Sequence, residues 1–129
     1  MTANDSKATC QAIFQLSKDG ESLSYKLIVA NIENVRMAHI HRASSGANGP
    51  IVAWLYPSFP PALPIPGKTN GILHQGTITT ANLVGLPPGS VLSDLIELIL
   101  EGGTYVNVHT DQFPPGEIRG QIWGNVPGN

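Results

Sequence analysis

TYVNVHTDQFPPGEIRGQIW, residues 104–123, consists of two short alternating runs of apolar and polar residues joined by a turn with two prolines and a glycine. Successive side chains of a strand point to opposite faces. Val106 and Val108 therefore share one face, with Tyr105, Asn107 and His109 on the other. After the turn, Ile118, Gly120 and Ile122 oppose Glu117, Arg119, Gln121 and Trp123. A period of two predicts an antiparallel hairpin whose apolar face enters a core. Its other face carries an uncommon set of polar groups, with His109 near Glu117 or Arg119 across the pair.

The same period extends outward through the chain. ATCQAIFQLSKDGESLSYKLIVANIENV, residues 8–35, reads as strands near 8–16 and 22–32 around the hairpin signal Asp19-Gly20. RMAHIHRA and IVAWLYP are two further strands flanking SSGANGP, residues 44–50. Five prolines in PSFPPALPIPGKTNG point to a long surface loop over 57–66, a rim able to present Phe59, Leu63 and Ile65, because proline lacks the N–H that a sheet ladder needs. ILHQGTITTANL resumes a strand. One helix is predicted near 90–101, where Leu92, Leu95, Ile96 and Ile99 recur at helical spacing, with Ser90 as start cap and Gly102 or Gly103 as stop. The expectation is an all-β single domain over 1–129: an antiparallel β-sandwich or flattened barrel with one short helix.

Composition narrows the function. The chain has 129 residues, 14 glycines, 11 prolines, 12% charged residues and a net charge of −2, so it carries neither the basic footprint of a nucleic-acid binder nor an acidic tail. The most apolar stretch, around Val91 to Leu100, contains Asp94 and Glu97 and is too short to cross a bilayer. The single cysteine, Cys10, has no partner for an internal disulfide and falls in a strand, as a buried, inert thiol. MTANDSKATC lacks the basic start and apolar run of a signal peptide, as a chain would after losing one.

The chemistry concentrates in few residues. Two of four histidines, His39 and His41, stand one residue apart, so a strand presents both on one face. With His109 they make the minimum for a three-ligand metal site with open positions. Tyr105, Asn107, Glu117 and Arg119 are candidates to support these rings or to bind a ligand, and His74 and Asp111 are further candidate members. The competing reading is a polar network that only fixes strand register. A nucleophilic serine is poorly supported: no Gly-x-Ser-x-Gly is present, and Ser44 and Ser45 suit a turn.

AHIHRASSGANGPIVAWLY together with YVNVHTDQFPPGEIRGQIW resembles the chordin (CHRD) domain family across nearly the whole chain. The matching motif positions are His39, His41, Gly46, Gly49, Pro50, Asn107, His109, Thr110, Gly116, Glu117, Arg119 and Gly120, while Ala43 stands where the family often has glycine and the proline loop looks longer than usual. The resemblance implies an all-β domain and an extracellular or periplasmic setting, and assigns no activity. A weaker similarity is to the Greek-key barrel of copper/zinc superoxide dismutase. Four histidines are too few for its paired metals and one cysteine too few for its disulfide, so a complete dismutase site is excluded. What remains is a single ion, copper or zinc, or a small polar ligand at His39, His41 and His109. The alternatives are an extracellular protein-interaction module with a structural histidine network, or an enzyme using His/Glu/Arg acid–base or single-metal chemistry.

Overall fold

The computed structural model describes residues 6–43, 49–58 and 60–121. Expectations for Ser44, Ser45, Gly46, Phe59, Ile122 and Trp123 lie outside the described residues. In chain order the elements are β1 (Thr9–Leu16), β2 (Leu23–Arg42), β3 (Ile51–Tyr56), β4 (Ile65–Ile78), a 3₁₀ turn (Thr80–Asn82), α1 (Leu92–Leu100), β5 (Thr104–Thr110) and β6 (Ile118–Gln121). Every strand pairing among the described residues is antiparallel, and the sheet curls into a half-barrel whose core also takes in α1.

β2 organises the sheet. Its first half pairs with β1 and β4, its second half with β3 and β5, and β6 extends the sheet beyond β5. The sequence predicts a break near residue 32, but the chain runs as one 20-residue strand. It bends instead of stopping: Asn31 and Asn34 take the left-handed conformation, with φ of 58° and 56°. Asparagine tolerates that region better than most residues, and an extra residue at each irregularity increases local twist without ending pairing.

Those irregularities set which side chains enter the core. Leu23, Tyr25, Leu27 and Val29 are buried at odd positions, Ile32 at an even one, Val35 at an odd one, and Ala38 and Ile40 at even ones. The register shifts between Val29 and Ile32, between Glu33 and Val35 and between Val35 and Met37 account for the alternation of parity. An unbroken strand would drive His39 and His41 into the apolar core. The bulged strand puts Ala38 and Ile40 there and leaves the histidines on the other face.

The core gathers Phe14, Leu27, Ile32, Leu55, Val106 and Val108 from the sheet with Leu92, Leu95 and Ile99 from α1. The helix matches its predicted range, but Ser90 does not cap it: its hydroxyl donates to the Pro87 carbonyl at 2.6 Å. The free N–H groups of the first turn go to the Asp94 carboxylate, which accepts from Val91 at 2.8 Å, and to Thr80 Oγ1, which accepts from Leu92 at 2.9 Å. Gly102, at φ 76°, ends the helix.

The proline segment is shorter as a loop than 57–66, because β4 already begins at Ile65. Val35 pairs with Ile65 at a register irregularity, which leaves Pro66 outside the regular ladder where its missing N–H costs nothing. The loop is tied to β2, since Leu63 donates its N–H to the Arg36 carbonyl at 3.1 Å. Cys10 sits half-buried in β1, and burial pushes its thiol up to about 11.

Candidate metal centre

The alternation of β2 and β5 arranges the polar face as a grid. His41 pairs with Tyr105, His39 with Asn107 and Met37 with His109, while on the far side of β5 Arg119 pairs with Asn107. β3 brings Trp54 opposite His39. All seven residues of β5 are buried, so its second face is an interior surface too. Residues 113–117 and Gly49 help close it over.

Three histidines meet there. His39 is fully buried, and His41 and His109 are 8% exposed. One ring nitrogen from each lies within 4.8 Å of the other two. The ring centroids of His39 are 5.0 Å from His109 and 5.5 Å from His41, and the Trp54 ring meets His39 edge-on at 4.2 Å. Three nitrogens each about 2.1 Å from one tetrahedral ion lie about 3.4 Å from one another, so an inward turn of the rings brings all three to one ion.

Hydrogen bonding fixes which nitrogens are available. His41 Nδ1 donates to the Gly49 carbonyl at 2.9 Å, and His109 Nδ1 donates to the Pro114 carbonyl at 2.7 Å. A carbonyl only accepts, so each Nδ1 carries the proton and each Nε2 carries a lone pair. Both Nε2 atoms, and both ring nitrogens of His39, are buried with no hydrogen-bond partner. Burial favours the neutral rings: desolvation first, then His109 and His41, pulls His39 down to about 3, and desolvation also lowers His41 and His109. Neutral, desolvated imidazoles with free lone pairs are the form that ligates a metal.

Tyr105 stacks on His41, with centroids 5.0 Å apart and planes 9° from parallel, and its hydroxyl accepts from the Gly49 N–H at 3.2 Å. The Arg119 guanidinium lies 3.6 Å over the same tyrosine ring. Asn107 Nδ2 donates to the Pro115 carbonyl at 3.0 Å, whereas its buried Oδ1 has no partner. Gly116 makes this fit possible: a Cβ there would stand 1.9 Å from Asn107 Oδ1, and its φ is 131°.

Glu117 is buried and engaged on the Thr110 side of β5. Its carboxylate accepts from Thr110 Oγ1 at 2.9 Å, Gln112 Nε2 at 2.7 Å and Ser6 Oγ at 2.5 Å. Asp111 is exposed and pairs with Arg36 at 3.7 Å. His74 lies on β4 opposite Leu27, beside the Tyr56 and Tyr25 rings, and its Nε2 is 3.2 Å from Ser58 Oγ. The cluster of donors within reach of one ion thus consists of His39, His41 and His109, among the described residues.

Sequence reasoning missed Trp54, Met37 and the backbone carbonyls of Gly49 and Pro114. The carbonyls leave no trace in residue identity. Met37 does leave one, because it precedes His39 by two and belongs to the same face of an alternating strand.

These features define a small antiparallel β-domain with a buried three-histidine donor set on the face of the sheet turned away from the apolar core. The CHRD domain profile matches residues 1–122, and the chain belongs to the CHRD domain family. No curated protein and no solved structure shows significant similarity to it.

Proposed function

We propose that this CHRD domain binds one copper or zinc ion through His39, His41 and His109. The observation that carries this reading is the set of buried, partnerless nitrogens: two Nε2 atoms whose rings are held by backbone carbonyls, together with His39. A buried nitrogen left unpaired costs about 1–3 kcal/mol. A network serving register alone should pair such atoms, as Glu117 is paired on the other side of β5. A bound ion takes up one lone pair from each of the three rings at once, and borderline imidazole donors suit copper or zinc better than calcium or magnesium. When bound, the ion supplies Lewis acidity, and redox chemistry if it is copper.

The protein's own residues do the rest. The Gly49 and Pro114 carbonyls hold the His41 and His109 rings in one tautomer, Trp54 limits rotation of His39, and Tyr105 packs along His41. Family membership supports an extracellular setting. The test is metal analysis of protein purified without a histidine tag, followed by thermal melting with copper, zinc and chelator. One ion per chain and a chelator-sensitive melt are expected. Protein that stays metal-free and melts identically in all three conditions would refute the reading.

A further inference from the structure

Three imidazoles leave one position of a four-coordinate ion to another donor, and the face that carries them holds a soft donor side chain as well. Met37 pairs directly with His109 across β2 and β5 and lies two residues before His39, on the face opposite Ala38 and Ile40. Side chains directly opposite on one face of a sheet stand about 4.5–5.5 Å apart at Cβ, within reach of a flexible thioether. Met37 is half-buried, at the end of the grid away from Tyr105.

Granted the metal reading of the three histidines, we propose that the site takes copper as Cu(I), with the Met37 thioether as its fourth, exchangeable donor.

Charge and softness point the same way. His41 and His109 are neutral imidazoles whose outer N–H groups meet neutral backbone carbonyls, so no carboxylate lends them negative charge through those bonds. A cation is built in nearby: Arg119 lies on the ring of Tyr105, and that ring stacks on His41. A desolvated cluster beside a guanidinium penalises a doubly charged ion more than a singly charged one. Thioether sulfur is a soft ligand that selects Cu(I), and it contributes little to a zinc ion. A half-buried position also suits a donor that lets go as the ion enters or leaves, while the buried histidines stay fixed.

The experiment is anaerobic competition of metal-free protein with bicinchoninate for Cu(I) and with a zinc chelator for Zn(II), on the original chain and on Met37→Leu, a swap of similar volume. Cu(I) should be held about a hundredfold or more tighter than Zn(II), and Met37→Leu should weaken Cu(I) roughly tenfold while leaving Zn(II) unchanged. X-ray absorption of the Cu(I) form should show a sulfur neighbour that the variant lacks. Tighter binding of Zn(II) overturns the Cu(I) assignment, and a sulfur-free spectrum or an unaltered Cu(I) affinity in the variant overturns the role of Met37. Failure of both ions to bind at one per chain brings down the metal reading itself, and this inference with it.

Discussion

At the scale of single residues, the site depends on close approaches that tolerate no added atoms. Gly116 combines a φ of 131° with an amide oxygen 1.9 Å from where a Cβ would stand. Gly116→Ala should destabilise the domain by about 2–3 kcal/mol or more, read as a lower denaturant midpoint, because strain and overlap act together. Arg119 serves a flat contact with Tyr105. Arg119→Lys keeps the charge but loses the planar stack, so melting without any added ligand should register a loss of about 1 kcal/mol. Replacing His39 and His41 together with alanine should abolish metal binding while circular dichroism still reports a folded sheet, since neither ring contributes to the apolar core.

At the scale of elements, β2 decides the orientation of the site through its two left-handed asparagines. Asn31 is tied to β4 through its backbone, its N–H donating to Asn70 Oδ1 at 2.9 Å. Asn34 is held more firmly, with Oδ1 accepting from the Gly67 N–H at 3.2 Å and Nδ2 donating to Gln112 at 3.3 Å. A β-branched residue in the left-handed region costs roughly 1–2 kcal/mol, whereas glycine enters it freely. Asn31→Val should therefore lower stability by about that amount, and Asn31→Gly should stay near the original. Equal losses from both, in equilibrium urea unfolding, would mean that the side chain and not the backbone conformation matters at this bend. The strands themselves were legible as period-two runs, and α1 as a helical one. The continuity of β2 was not, because an asparagine pair reads equally as a turn or as a bulge until its partners on β4 and β5 are known.

For the whole molecule, three neutral rings buried on one face tie stability to pH. The folded pKa of His39 is held at about 3 and those of His41 and His109 are lowered, desolvation leading in each case, while an unfolded histidine titrates near 6.5. Between those values the unfolded chain binds more protons than the folded one. The stabilising effect is fully present above about 6.5 and is lost as the pH falls towards the folded values. Metal-free protein should thus melt several degrees lower at pH 5 than at pH 7.5, and the His39→Ala, His41→Ala double variant should show a shallower dependence. A saturating ion adds stability by binding only the folded chain, about 2.7 kcal/mol at a hundred times its dissociation constant, and that increment should also vanish as the rings protonate.

By itself the sequence determined the class of fold and the residues worth watching. Alternation is local, so His39-x-His41, Tyr105-x-Asn107-x-His109 and the apolar positions opposite them could be assigned to faces without any knowledge of pairing. Only the tertiary structure decided that those faces meet. The register of β2 against β5, with its irregularity between Val35 and Met37, places His39, His41 and His109 within 4.8 Å and Met37 opposite His109. The same folding sends the Glu117 carboxylate towards Thr110 and gives His109 to the Pro114 carbonyl. Side-chain identity specifies which donors a chain can offer; distances between strands, and the backbone carbonyls that orient each ring, arise only when non-local pairing fixes them in space.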